Sequence, residues 1–192
     1  MNRMRTILAL AAAGALVACA SQKEPAQAAL GAAEQAVAGV KAEAERYVPD
    51  QFKALSGALA GAKDLFTKGE YEKALAAAGD VTSKVKDVIG AVNAKKAELT
   101  KAWEQVAGAV PKMMEVLKSR LDVLSQAKKL PAGLDAAKLG GAKGAYEAAA
   151  GVFAQAGEAL KAGNLQEAVA KGTAAKAKAA EAMTALGMQM PQ

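Results

Sequence analysis

Residues 71–124 read YEKALAAAGDVTSKVKDVIGAVNAKKAELTKAWEQVAGAVPKMMEVLKSRLDVL, and this stretch decides the fold. Positions three and four apart lie on one face of an α-helix, so residues that recur at these alternating spacings predict one very long helix. An average spacing of about 3.5 residues is typical of coiled coils and requires a second helical surface to cover it. We call these positions the seam: Tyr71, Leu75, Ala78, Thr82, Val85, Ile89, Val92, Lys96, Leu99, Trp103, Val106, Val110, Met113, Leu117, Arg120 and Leu124.

A proline lies inside this long pattern, at position 111. Proline removes a backbone hydrogen bond and kinks or breaks a helix. The seam nevertheless keeps its phase across Gly108 to Pro111, and a connecting loop would have no reason to preserve that register. The pattern therefore favours one continuous helix kinked near Pro111 over two unrelated helices.

Two shorter helices are predicted before the seam. The first starts at residue 28, and its apolar stripe ends at Val48-Pro49-Asp50. Proline is welcome in a first helical turn, so a second helix is expected to begin there, as a kinked continuation or after a shallow bend. Gly69 is suited to a left-handed C-terminal cap that reverses the chain. The two stripes are Leu30, Ala33, Val37, Val40, Ala44 and Tyr47, then Phe52, Leu55, Leu59, Ala62 and Phe66.

The second half of the chain repeats this arrangement. The segment KKLPAG at 128–133 ends the long helix, because it combines cations with proline and glycine. Helices are then predicted over about 134–161 and from residue 165, with a reversal at 162–164 between them. A shift of 94 residues places Gly69 on Gly163, which indicates an αα-hairpin used twice.

These patterns predict an all-α protein. We expect an elongated helical bundle built from two antiparallel helical hairpins that cover each other's stripes, with one long helix kinked near Pro111. The composition agrees, because aromatic residues make up only 4% of a chain that is 53% hydrophobic. Alanine inflates the apolar fraction, is the best helix former and buries little surface per residue.

The N-terminus has the three-part order of a secretory signal peptide. Arg3 and Arg5 precede an apolar run from Ile7 to Val17, and small residues lead to the single cysteine, Cys19. The apolar run is too short to span a bilayer comfortably, for which about 20 residues are needed. We therefore expect residues 1–18 to be removed rather than retained.

Leu16-Val17-Ala18-Cys19 resembles the lipobox of bacterial lipoprotein precursors. The resemblance implies cleavage before Cys19, a diacylglyceryl group on its sulfur and acylation of the new amino terminus. Several acyl chains on one residue would anchor the protein stably. Ala20 follows the cysteine where inner-membrane lipoproteins tend to have aspartate, which favours the outer membrane with the body facing the periplasm.

A domain plan follows from the leader and the helical pattern. Residues 20–27 are polar and contain Pro25, so they read as a short flexible tether. The plan is a signal peptide at 1–18, a lipidated cysteine and tether at 19–27, a hairpin with a long second helix at 28–130, a second hairpin at 131–187 and a disordered tail at 188–192.

Two looser resemblances concern the helical body. The Tyr47-Val48-Pro49 element and the turn Gly69-Glu70-Tyr71 with Ala74 are similar to a family of alanine-rich bacterial lipoproteins known only as a domain of unknown function. That family carries no activity over to this chain. The same turn resembles tetratricopeptide repeats, although an offset of 94 residues is not a multiple of 34.

The residue inventory argues against catalysis. The chain has no histidine and one cysteine, which removes the commonest general base, the commonest transition-metal ligand and any internal disulfide. No catalytic constellation, metal site or cofactor motif is predicted. Without Arg3 and Arg5 the mature body has 23 basic and 19 acidic residues in alternating order, so nucleic acid is not an expected partner.

Function is therefore expected to lie in anchoring and docking. We expect a non-enzymatic lipoprotein, attached to the membrane through Cys19, that acts as a scaffold or docking module for an envelope protein or for a second copy of itself. Two alternatives stay open: a carrier of an apolar ligand such as a lipid, and a tetratricopeptide-like adaptor. The seam residues expected to face a partner are Tyr71, Trp103, Val106, Val110, Met113 and Leu117.

Overall fold

The computed structural model describes the backbone of residues 2–189 and the side chains of residues 22–189. Over the described backbone the chain is helical without strands, so the predicted all-α bundle is confirmed. The chain forms two units, Met1–Lys95 and Lys96–Gln192. The helices are α1 (Asn2–Tyr47), α2 (Pro49–Thr67), α3 (Tyr71–Gln126), α4 (Ala136–Lys161) and α5 (Leu165–Ala185).

Helix α3 runs for 56 residues and includes Pro111, which confirms the continuous helix. Proline inside a helix costs about 3 kcal/mol or more. Burial of a large apolar side chain stabilises by roughly 1.5–3 kcal/mol, and Val110 and Met113 beside the proline are 0% and 1% exposed. Pro111 itself is exposed. Packing of its neighbours therefore offsets the missing hydrogen bond and keeps the helix in one piece.

The buried face of α3 follows the seam in its second half and departs from it in its first half. Between residues 96 and 126 the seam residues Leu99, Val106, Val110, Met113, Leu117 and Leu124 are all buried. Between residues 71 and 95 the buried face is shifted by one residue at every second seam position. Ala74, Val81 and Val88 are buried there in place of Leu75, Thr82 and Ile89. Steps of three and four both keep a residue on one face, so spacing alone leaves this choice open.

Helices α1 and α2 form an antiparallel pair. The Nζ of Lys63 lies 2.8 Å from a carboxylate oxygen of Glu34, although these residues are 14 and 15 positions away from Val48. Two helices that met in a kinked rod or a shallow bend would hold these residues far apart, because each residue advances a helix by 1.5 Å. The expected shallow bend at Val48-Pro49 is therefore wrong, and the chain reverses there.

The tether expected at residues 19–27 is helical. Helix α1 includes these residues, and Ala26 is completely buried. Alanine, glutamine, lysine and glutamate are good helix formers, and they outweigh the single Pro25 that suggested a break. Side-chain burial in the first unit is therefore already present at Ala26, seven residues after Cys19.

Two glycine turns have the same hydrogen bonds at positions 94 residues apart. The amide of Glu70 donates to the Leu65 carbonyl, and the amide of Asn164 donates to the Ala159 carbonyl, at 3.0 and 2.9 Å. Gly69 and Gly163 have φ angles of +79° and +75°, a left-handed conformation that strains any residue with a Cβ. The α2–α3 and α4–α5 turns therefore share one backbone conformation, as the internal repeat predicts.

The second unit packs the α4–α5 pair against the second half of α3. Its core joins leucine and methionine side chains of α3 to alanines of the other two helices. The cover for this hairpin comes from the second half of α3, the long helix that the domain plan assigned to the hairpin at 28–130. Asp135 and Asn164 cap α4 and α5 by accepting from the amides of Lys138 and Glu167. Core residues include Met113, Leu117, Leu121 and Leu124 with Ala142, Ala149, Ala179, Ala182, Met183 and Leu186.

Helices α3 and α5 approach closely at Gly172. A Cβ added there would lie 2.5 Å from Cγ1 of Val106 and 3.3 Å from Cζ3 of Trp103. Such overlap requires the valine to shift, and overpacking of this kind costs about 1–3 kcal/mol. Glycine at 172 is therefore the residue that lets the two helices pack at this distance.

We expect Gly172→Ala to be less stable than Gly144→Ala by about 1–3 kcal/mol. Both substitutions replace a glycine inside a helix, so the gain in helix propensity is common to both. Gly144 is the matched control because an added Cβ meets nothing within 4 Å. Urea denaturation followed by circular dichroism measures the difference, and equal stabilities would contradict the close approach.

Candidate functional site

The seam residues expected to face a partner belong mainly to the core. Val106, Val110, Met113 and Leu117 are at most 6% exposed and pack in the second unit. The interpretation of these four as a docking surface is wrong, because α4 and α5 already cover them. The coiled-coil spacing predicted correctly that the seam needs cover but could not tell whether the cover comes from the same chain.

The two aromatic seam residues are half-buried and paired. Trp103 stacks on Phe153 with ring centroids 6.2 Å apart, and Tyr71 meets Phe66 edge-on at 5.2 Å. Aromatic pairs in these geometries contribute about 0.5–1.5 kcal/mol beyond their buried area. Tyr71 and Trp103 therefore contribute to stability through contacts within each unit.

The predicted lipidation site lies outside the described side chains. Leu16, Val17, Ala18 and Cys19 fall in the part of α1 for which only the backbone is described, so the lipobox stays a prediction. Searched over the described residues, the helices contain no segment that is both long enough and apolar enough to cross a bilayer.

Charged side chains in the described part of the chain are exposed or half-buried. No polar or charged residue is buried among residues 22–189, and no three acidic or cysteine side chains there converge as metal ligands would. Hydrogen bonds to carboxylates raise the pKa of Lys68, beside Asp64, and of Lys73, beside Glu70. A lysine whose pKa is raised in the folded chain adds stability at pH values below its ordinary pKa of 10.5, and this contribution is lost only as the pH rises above that value. These pairs therefore add no pH dependence near neutrality.

Few large apolar side chains remain exposed in the described residues. Val116 and Val123 are 43% and 60% exposed and lie seven residues apart on α3, away from its buried face. They line a cleft of about 780 Å³ that is open to solvent, which we call the valine cleft. The residues that define it are Lys112, Glu115, Val116, Ser119, Arg120, Val123 and Met188.

A second cleft adjoins the first through a shared residue. This loop cleft, of about 560 Å³, lies where the 131–134 loop meets the end of α5. Arg120 lines both clefts, and Lys138 and Thr184 line the loop cleft. Lys138 is held there because its Nζ donates to the Gly133 carbonyl at 2.7 Å.

Arg120 is the chemically distinctive residue of this region. Its Nε is buried and has no hydrogen-bond partner among the described residues. The seam pattern placed Arg120 at a core-facing position, whereas the structure leaves it half-buried and buries Leu121. Sequence analysis missed the valine cleft, for which the only signal was the seven-residue spacing of Val116 and Val123 on a second face of α3.

The two clefts offer contrasting chemistry on either side of Arg120. The valine cleft presents two valines and a methionine beside Lys112, Glu115 and Ser119, and the loop cleft presents a lysine and a threonine without any carboxylate. A guanidinium group matches the oxygens of carboxylates and phosphates in a planar, two-bond geometry. The arrangement can therefore hold a small molecule that is apolar at one end and anionic at the other.

No family model matches this chain, and no curated protein or solved structure matches it. The resemblances to lipoprotein precursors, to the alanine-rich lipoprotein family and to tetratricopeptide repeats therefore stay predictions.

Proposed function

We propose that this protein is a bacterial lipoprotein whose helical body is held at the periplasmic face of the outer membrane. The observation that carries the proposal is Leu16-Val17-Ala18-Cys19, whose first two residues end the apolar run from Ile7 to Val17. Several acyl chains on Cys19 give a stable anchor, since each buried methylene contributes about 0.8 kcal/mol. Ala20 follows the cysteine where inner-membrane lipoproteins tend to have aspartate, so the resemblance to lipoproteins favours the outer membrane as the location.

The start of the folded body supports cleavage before Cys19. Pro25 would stand in the interior of a long helix if residues 1–18 remained, where proline costs about 3 kcal/mol. After cleavage only six residues would precede Pro25, so it would lie close to the start of the helix. The first four amides of a helix lack intrahelical partners, so proline costs little there if the helix of the cleaved chain begins at Gln22 or later.

The anchored body serves as a non-enzymatic scaffold or docking module for another envelope protein. Two observations favour this role: the absence of histidine from the chain, and the exposed or half-buried position of the charged groups among residues 22–189. The core reaches to within seven residues of Cys19, so the body stays close to the bilayer. The length of α3 argues against a tetratricopeptide-like adaptor, because 56 residues in one helix do not fit a repeat of 34.

Cross-linking in cells tests the docking role. Ile89 and Leu160 are exposed at 43% and 37%, so each tolerates replacement by a photoreactive amino acid. We expect one of these positions to capture a defined envelope protein, and we expect the capture to be lost in a Cys19→Ala chain, which is not held at the membrane. Self-cross-links alone would assign a homo-oligomeric role. Capture of the same protein by the Cys19→Ala chain would contradict an anchored docking module.

A further inference from the structure

Arg120 is distinctive because part of its charged guanidinium group, the Nε, is buried without a hydrogen-bond partner among the described residues. A buried polar group without a partner costs free energy, and more so when the group is charged. Arg120 as a whole is only half-buried and lines both open clefts, so the outer end of its guanidinium can donate to a bound anion.

The charges around Arg120 favour an anion with two negative charges. Lys112, Arg120 and Lys138 line the two clefts, and Glu115 is the one carboxylate that does so. On the loop side the two cations stand without any acid. A phosphate group with two negative charges can bind both cations, whereas a carboxylate carries a single charge that the guanidinium of Arg120 alone would neutralise.

The other side of Arg120 suits an alkyl chain. Val116 and Val123 are among the most exposed large apolar residues that the structure describes, and Met188 faces the same cleft. Methionine is an adaptable lining for flexible apolar ligands.

We propose that the two clefts bind an amphiphile with a phosphate headgroup. Arg120 and Lys138 hold the phosphate oxygens in and beside the loop cleft, and the alkyl chain lies over Val116, Val123 and Met188 in the valine cleft. A membrane phospholipid whose headgroup is a phosphate monoester is the source of this chemistry to which we commit, because the phosphate of a diester headgroup carries only one negative charge. The site goes beyond the docking role and does not depend on it, because it lies wholly within the second unit.

Methyl NMR of the full chain tests this site. The protein, purified in dodecyl maltoside and labelled at its methionine methyl groups, is titrated with dodecyl phosphate, which has the same chain and an anionic head. We expect a saturable shift of the Met188 methyl signal and a smaller change at the buried Met183. Inorganic phosphate is expected to bind at least tenfold more weakly, because it lacks the alkyl chain.

Substitutions separate ligand binding from structure. Arg120→Met is expected to weaken dodecyl phosphate binding at least tenfold without lowering the melting temperature, because it removes a buried unpartnered group. Lys138→Met, at an exposed position that cannot disturb the core, is expected to weaken binding about threefold to tenfold. Lys118→Met is the matched control, because Lys118 lies on the same helix outside both clefts and pairs with Asp122.

Three results would overturn the proposal. The first is a Met188 signal that does not respond to dodecyl phosphate in the unsubstituted chain. The second is unchanged affinity in both Arg120→Met and Lys138→Met. The third is inorganic phosphate that binds as tightly as dodecyl phosphate, which would assign the loop cleft to free phosphate.

Discussion

Replacement of Leu117 by alanine is expected to lower the free energy of unfolding of the second unit by about 2–5 kcal/mol. Leu117 is completely buried in the core formed by α3, α4 and α5. Its neighbours on α4 and α5 are mainly alanines, whose short side chains cannot move to fill the space. The loss therefore combines the lost burial with the cavity that remains.

Val116→Ala is the matched control for this substitution. Val116 precedes Leu117 on α3 but is 43% exposed, so its truncation leaves no cavity. We expect a change within about 0.5 kcal/mol, since alanine also favours the helix. Urea denaturation followed by circular dichroism gives both values. A small loss for Leu117→Ala would mean that the seam is not core, and would restore the interpretation of Leu117 as a partner-facing residue.

Replacement of Cys19 by alanine is expected to abolish acylation and to shift the protein in size and in cell fraction. Without the cysteine there is no sulfur for the diacylglyceryl group, and residues 1–18 stay attached. The retained apolar run from Ile7 to Val17 is shorter than the 20 or so residues needed to span a bilayer, so its hold is weaker than that of several acyl chains. Alkaline extraction of membranes followed by gel electrophoresis measures both effects.

Ser21→Ala is the control for this experiment, because it alters a neighbouring residue outside the lipobox. It is expected to keep the size and the fraction of the unsubstituted protein. A Cys19→Ala chain that remains in the membrane fraction at unchanged size would mean that Cys19 carries no lipid.

Local signals explain why much of the fold was predictable. Gly69 and Gly163 both adopt the left-handed conformation expected of a helix-ending glycine, because no other residue takes it without strain. The phase of the seam across Pro111 correctly indicated one helix, since only continuous helical geometry preserves such a register. These features depend on a few neighbouring residues, and the sequence contains all of them.

Features that depend on contacts between helices were not predictable from spacing. The reversal at Val48-Pro49 is evident only from the contact of Lys63 with Glu34, because proline in a first turn is compatible with a bend of any size. The burial of Val81 in place of Thr82 depends on the direction from which neighbouring helices pack. The same limitation applied to the seam, whose cover comes from α4 and α5 in the second unit.

The candidate site was even less accessible from the sequence. Arg120 looked like one polar interruption of an apolar seam, and Lys138 like one of many surface lysines. Their relation to Met188 emerges only when the 131–134 loop and the end of α5 come together beside α3. Sites formed by residues far apart in a helical chain leave no spacing pattern, because each helix contributes a single residue or two.

The mass of the intact protein from the membrane fraction tests the central claim most directly. We predict a polypeptide that begins at Cys19 and carries the additional mass of a diacylglyceryl group and an amide-linked acyl chain. An intact chain that begins at Met1, or one that begins elsewhere without added lipid mass, would contradict the account of a lipid-anchored helical bundle.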